Sequence, residues 1–346
     1  MKAIVKTKRE YGSVEIIDVS EPEEPSGNEV LVDVRSSAIC GSDVHSYEYI
    51  PSSHFIKVPV ILGHEFSGVV KAIGKDVTEY KVGDRVMGES NKYCGVCENC
   101  RIGKTNVCNN SLMRGLTFDG VMAEQVKIGD NFLHKLSDDT PFEYAAVAQP
   151  CSVVVHGVFD NCNVMPGDSV VVFGPGIMGN AAAQLARIKG AGNVFLVGTN
   201  QDAEKRLPIA ENMGFIPVNA QEQSLEEVIF AYTGKKSVDV VIECSGAPSA
   251  LSDGSKIIKK NGYLTVLGIY GRNVELDITN LVRKEVNIRT SYTSTWKNYE
   301  TALDLIGKGL LNLRPLCTVY DYKDALQAFQ DAIDKTVLKP ILRFND

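Results

Sequence analysis

Apolar and polar positions alternate in short runs through the first part of the chain. Glu29-Val30-Leu31-Val32-Asp33-Val34, Phe66-Ser67-Gly68-Val69-Val70 and Asp84-Arg85-Val86-Met87 are examples, each broken from the next by glycine or proline. A period of two with turn residues between runs predicts antiparallel strands joined by long loops, and residues 1–18 alternate in the same way. After Pro150 the texture changes. Strand-like runs at Asp168–Gly174, Asn193–Thr199, Val238–Cys244 and Gly262–Gly268 now alternate with helical stretches, two of which run to about Lys189 and Met213. That alternation predicts a parallel sheet covered on both faces. Beyond a loop at Gly268–Arg272 the pattern predicts helices over Tyr299–Lys308 and Tyr322–Ala332, then a closing strand over Lys339–Phe344.

With 346 residues the chain is long enough for about two domains, and its 44% hydrophobic content supplies two cores. A net charge of -7 argues against a general nucleic-acid binder, which would show a basic face. No run approaches the ~18 apolar residues of a membrane helix, and the first residues lack a signal-peptide core. The expected compartment is the cytoplasm, with no nucleic acid or membrane partner. In a reducing compartment clustered cysteines hold metal more often than they form disulfides, and four of the nine here are clustered.

Those four are Cys94, Cys97 and Cys100, at two-residue spacing, and Cys108. Four thiolates complete a tetrahedral zinc and leave no open position, which makes a structural site; spacing alone leaves an iron–sulfur cluster open. Gly95 and Gly103 suit the tight turns of such a lobe. A second group joins Cys40-Gly41-Ser42-Asp43-Val44-His45 to Gly63-His64-Glu65. Thiolate, imidazole and carboxylate are zinc ligands, and three protein ligands with one open position make a catalytic site. Gln149, just before the αβ region, is too poor a ligand to replace a carboxylate, so it either faces a zinc-bound water or only shapes a turn.

The run Ser169–Phe173 leads directly into Gly174-Pro175-Gly176-Ile177-Met178-Gly179 and a helical stretch. Between a strand and a helix, this glycine pattern cradles a pyrophosphate on backbone N–H groups. An acidic residue about 20 positions on would hold the ribose of NAD; that position is Gly198. Thr199, Asn200 and Arg206 could instead bind a 2′-phosphate, so the balance tilts modestly toward NADP, with Asp202 as the route back to NAD.

Together these pieces resemble the zinc-containing medium-chain dehydrogenase/reductase family, and within it the sorbitol, threonine and galactitol-phosphate dehydrogenase branch. Val82–Val86, Asp119–Glu124 and Glu243–Gly246 add to the likeness, which runs nearly end to end. The resemblance implies an α/β chain: a GroES-like β catalytic domain over 1–149 and 287–346, and a Rossmann doubly wound parallel-sheet domain over 150–286. It implies two zincs per chain, the catalytic one on Cys40, His64 and Glu65, and a proton relay through Ser42 and His45. The implied reaction moves a hydride between a secondary alcohol, such as a polyol or sugar alcohol, and NAD(P). Dimers or tetramers are usual among such proteins. Family members commonly carry Glu where this chain has Gln149, which leaves that carboxylate's role without an occupant. An amino-alcohol dehydrogenase of the L-threonine type, a metal-free quinone or enone reductase, and a catalytically silent nucleotide-binding protein are the competing readings. Tyr47, Phe118 and Trp296 are candidate pocket residues, and Arg114 is either an exposed arginine or a contact for an acidic substrate.

Overall fold

A computed structural model describes residues 1–345, without the side chain of Ser52. The described chain divides into two units, Met1–Pro150 with the segment from Ser294 onward, and Cys151–Thr293. In the first unit the alternating N-terminal run is two strands, not one: Lys2–Lys6 pairs antiparallel with Val14–Asp18, and Val60–Ile61 closes the other side. The second sheet is centred on the long strand Glu29–Ala38. Phe66–Ile73 lies along one side of it; Gln125–Gly129 and Lys339–Arg343 share the other. Arg85–Gly88 and Leu133–Lys135 extend this sheet at one end, and Cys317–Asp321, parallel to Lys339–Arg343, ends it at the other. The inward apolar residues Ile4, Val30, Val32, Leu62, Phe66 and Met122 meet Phe329 in one core.

The second unit carries six parallel strands in the order Ile216–Asn219, Asn193–Gly198, Ser169–Phe173, Val238–Glu243, Ile258–Val266 and Asn287–Thr290. Numbered along the chain this is 3-2-1-4-5-6, the doubly wound Rossmann order. Ser169–Phe173 is buried at every position, as expected of a parallel strand covered on both faces. The helix Ile177–Ile188 that follows it is rich in alanine, and Ala181, Ala182 and Ala183 are fully enclosed. Asn287–Thr290 is the sixth strand of this sheet. The chain therefore returns to the first unit after Thr293, a few residues later than the expected 287. The first unit is richer in helix than its alternation suggests: Gly41–Glu48 and Phe142–Ala146 are helical where the sequence showed loops and strands. No helix among the described residues is long and apolar enough to cross a membrane.

Candidate metal and nucleotide sites

Cys40 caps the helix Gly41–Glu48, and His64 and Glu65 follow the turn after Val60–Ile61. The turn needs glycine at 63: its φ is +88°, and a Cβ there would stand 2.5 Å from Met122. Asp43, fully buried, ties the two loops together. One carboxylate oxygen accepts from the Cys40 amide at 2.9 Å; the other accepts from the Gly63 amide at 3.2 Å and lies 4.0 Å from His64 Nδ1. Donor atoms of Cys40, His64 and Glu65 consequently all fall within 4.8 Å of one another.

Glu65 is held by a residue from the far end of the sequence. Lys339 Nζ, on the closing strand, donates to Glu65 Oε1 at 2.7 Å and to the Ile39 carbonyl at 2.9 Å. Glu65 Oε2 and His64 Nδ1 are buried without a hydrogen-bond partner. Buried polar atoms are seldom left in this state, and a bound ion is one recognised cause. Burial alone would lower the His64 pKa, but Cys40, Asp43 and Glu65 outweigh it and hold the imidazole at about 9. A pocket that so favours positive charge, with one sulfur, one nitrogen and one oxygen donor, fits zinc.

The cysteine lobe is equally well formed. All four sulfurs lie within 4.8 Å of one another, and no disulfide joins them. Cys108 Sγ is 3.6 Å from Cys94 Sγ and 3.9 Å from Cys97 Sγ. Tetrahedral thiolates at ~2.3 Å from zinc would be roughly 3.8 Å apart. Backbone N–H groups of Val96 and Cys97 bring the Cys94 thiol down to about 6, toward the thiolate a metal requires. Gly95 and Gly103 turn the chain at φ +73° and +80°.

Ser42 and His45 lie three residues apart on the helix Gly41–Glu48, Ser42 half-buried and His45 exposed, with no hydrogen bond between their side chains among the described residues. Gln149 is buried, and its amide donates to Ser90 Oγ at 3.2 Å. The aromatic residues named from sequence do not gather. Tyr47 stacks on Phe329, Phe118 lies under Arg114, and Trp296 packs near His134. Arg114 is buried, 7% exposed, which overturns its reading as an exposed arginine.

In the second unit the glycine turn follows the strand Ser169–Phe173 directly. Gly174 has φ +94°, and a Cβ on Gly179 would stand 1.8 Å from the Gly174 carbonyl, so only glycine lets the helix pack this close to the strand end. Gly176 caps the helix Ile177–Ile188, presenting the first-turn N–H groups of Ile177 and Met178. Glu243, unremarked in the sequence beyond its motif, is fully buried. It accepts from the Ser245 and Gly246 amides and from the Tyr270 hydroxyl, fixing two loops beyond the strand ends. A Cβ on Gly198 would meet Pro175 Cγ at 2.9 Å and Asp202 Cβ and Oδ2 at 3.0 and 3.1 Å, so Pro175 and Asp202 together fill the space of the missing side chain. The Asp202 carboxylate accepts from the Thr199 amide and hydroxyl and pairs with Arg206 at 3.4 Å, while Asn200 Oδ1 accepts from Asn219.

Three donors of metal-ligand type gathered in a β-rich unit, in a chain that also carries a dinucleotide-type sheet, match the pattern of a metal-dependent dehydrogenase. Comparison with known proteins agrees. Residues 26–138 match the alcohol dehydrogenase GroES-like domain and residues 178–308 the zinc-binding dehydrogenase family. The chain is 32% identical to a sorbitol dehydrogenase of Halalkalibacterium halodurans over 99% of its own length and 100% of that protein. It is 35% identical to an L-threonine 3-dehydrogenase of Escherichia fergusonii over 96% of each. An alcohol dehydrogenase of Escherichia coli CFT073, solved with NADH, superposes with a TM-score of 0.90 at 27% identity, over 99% of both chains. The chain belongs to the zinc-containing medium-chain dehydrogenase/reductase family, in its polyol and threonine dehydrogenase branch. It is a zinc-dependent, nicotinamide-linked oxidoreductase acting on alcohols.

Proposed function

We propose that Cys40, His64 and Glu65 hold the catalytic zinc, that Cys94, Cys97, Cys100 and Cys108 hold a structural one, and that the enzyme interconverts a polyol or sugar alcohol and its carbonyl form. The observation that carries this reading is the convergence of three donors from two loops, with His64 Nδ1 and Glu65 Oε2 buried and unpartnered. Zinc, when bound, supplies the positive charge that lowers the pKa of an alcohol ligand and polarises the carbonyl in reverse. The chain's own residues do the rest. Lys339 fixes one oxygen of Glu65 and leaves the other, unpartnered, available as a ligand, and Asp43 sets the spacing of the two loops that would hold the ion. Ser42 and His45, on one helical face and graded from half-buried to exposed, carry the proton outward once their side chains rotate into contact. The N–H groups after Gly176 receive the pyrophosphate.

The geometry tilts the cofactor preference toward NAD. Of Thr199, Asn200 and Arg206, expected to meet a 2′-phosphate, the first two are engaged internally and Arg206 pairs through Nη1 with Asp202, its Nε staying unpartnered, while the Asp202 carboxylate stands beside Gly198. A second substrate class, amino alcohols of the L-threonine type, is favoured by the 35% identity to an L-threonine 3-dehydrogenase.

The test is metal analysis with a substrate panel of polyols, their phosphates and L-threonine, each run with NAD and NADP. Two zincs per chain and higher kcat/KM with NAD are expected. Cys40→Ala should retain one zinc and NADH binding while turnover falls to background. Unchanged turnover in that variant rejects the assignment.

A further inference from the structure

A cavity of about 560 Å³ opens in the first unit, lined among others by Lys92, Arg114, Phe118, Asp119, Gly120 and Gln125. None of Cys40, His64 and Glu65 lines it. Arg114 is its charged floor: the side chain is 7% exposed, its Nε is buried without a hydrogen bond, and no carboxylate pairs with it among the described residues. The ring of Phe118 lies 4.9 Å from the guanidinium carbon, a cation–π contact that holds the group in place without neutralising it. With nothing to offset its desolvation, Arg114 is pushed down to about 10, which still leaves it a full cation at neutral pH.

Of the two carboxylates on the cavity wall, only Glu29 has a cationic partner, and Asp119 is held by one amide at its exposed position. Asp119 Oδ1 accepts from the Ile61 amide at 3.1 Å. Glu29 accepts from the Ser26 amide and hydroxyl at 3.0 Å each and pairs with Lys127 at 3.4 Å. Lys92 is exposed at the rim and makes no side-chain hydrogen bond or ion pair among the described residues. A buried, unpaired guanidinium with a second free cation at the mouth is a poor structural element and a good anion receptor. Its planar fork of donors matches a tetrahedral oxyanion bidentately.

We propose that this cavity is a binding site for a phosphate group, borne by a small phosphomonoester or as free phosphate, with Arg114 as the bidentate contact and Lys92 as the second charge. The site is separate from the metal donors but mechanically close to them. Gly120, on its wall, packs so tightly that a Cβ would stand 2.3 Å from the carbonyls of Leu62 and Gly63, the residues leading into His64. The Arg114 amide donates to the Ser90 carbonyl, and the Ser90 hydroxyl accepts from Gln149. An occupant would therefore brace the segment behind the metal ligands.

The experiment measures the unfolding temperature of the zinc-loaded enzyme saturated with NADH, so that the nucleotide's own phosphate site is filled. Inorganic phosphate, glycerol 1-phosphate and, as a neutral control, glycerol are titrated at constant ionic strength. A saturable rise with phosphate or glycerol 1-phosphate, and none with glycerol, is expected. Tighter binding of glycerol 1-phosphate assigns a phosphomonoester; equal affinity assigns free phosphate. Arg114→Met should remove the saturable response. Lys92→Gln, at the exposed rim, should weaken it roughly fivefold, the loss of one partly exposed charge contact. The proposal is overturned if the wild type responds to phosphate only as it does to chloride, or if Arg114→Met keeps the response. Should Arg114→Met fail to fold, an unchanged phosphate midpoint in Lys92→Gln overturns it equally.

Discussion

Glu65 and Lys339 form an ion pair in which neither partner has measurable access to water beyond 2%. Such a pair adds little compared with apolar packing, but removing one partner strands the other charge. Lys339→Met should therefore cost about 3–5 kcal/mol, read from the denaturant midpoint, and zinc retention at the three-donor site should fall with it. His134 poses a different electrostatic problem. It is buried between Glu89 and Glu300, stacked on Tyr299 and beside Trp296. Burial lowers its pKa, but the two glutamates outweigh this and raise it above 6.5; burial also raises Glu89. A histidine with a raised folded value contributes stability that is whole below its unfolded pKa and fades as pH climbs through the folded one. The unfolding temperature should decline as pH rises above about 6.5, and His134→Gln should flatten that slope. The clustering of Cys40 with His64 and Glu65, and of the four cysteines, was legible in the sequence because cysteine and histidine are scarce and their spacing is chemically specific. Lys339 was not: a lysine 274 positions from its partner looks like any solvated lysine. Asp43 sat inside a recognised motif, yet its bond to Gly63 depends on a loop approach that no local pattern encodes.

Elements differ in how much the sequence reveals for a related reason. Parallel strands such as Ser169–Phe173 are buried on both faces and stand out as unbroken apolar runs. The N-terminal hairpin and the helix Phe142–Ala146 depend on tertiary partners, so their local patterns misled or stayed silent. The turn between Ser169–Phe173 and Ile177–Ile188 is the element most tightly constrained by sterics, and its glycines are not equivalent. Gly179→Ala drives a methyl group into the Gly174 carbonyl and should displace the helix start, with turnover falling ~10²-fold, as for a misplacement of about 1 Å. Gly176 has open space around its missing Cβ. Gly176→Ala should keep the wild-type unfolding midpoint and lose NADH affinity instead, because the backbone there approaches the pyrophosphate. NADH titration by fluorescence, paired with thermal unfolding, separates the two.

At the scale of the whole molecule, both cysteine-containing donor groups belong to the first unit, while the second has its own core around Val171, Phe195, Val241 and Leu264. Because such thiolate sites do not exist in the unfolded chain, metal binding to them is folding free energy. Prolonged chelation should lower the unfolding temperature of the first unit and leave the second, so that calorimetry of the stripped enzyme shows two transitions. The division into a β-rich and an αβ part was readable from the change of period at Pro150. Where the chain returns was not, because Asn287–Thr290 resembles any short strand and only its pairing with Ile258–Val266 assigns it to the parallel sheet. The strand Lys339–Arg343 lies inside the β sheet, flanked by Glu29–Ala38 and Cys317–Asp321, and not at its edge. During synthesis on the ribosome, the nucleotide unit can close while the N-terminal one still lacks an interior strand and the ammonium that steadies Glu65. The unit begun first is not the first completed, and a nascent chain must keep the loop bearing Glu65 waiting for a lysine made 274 residues later.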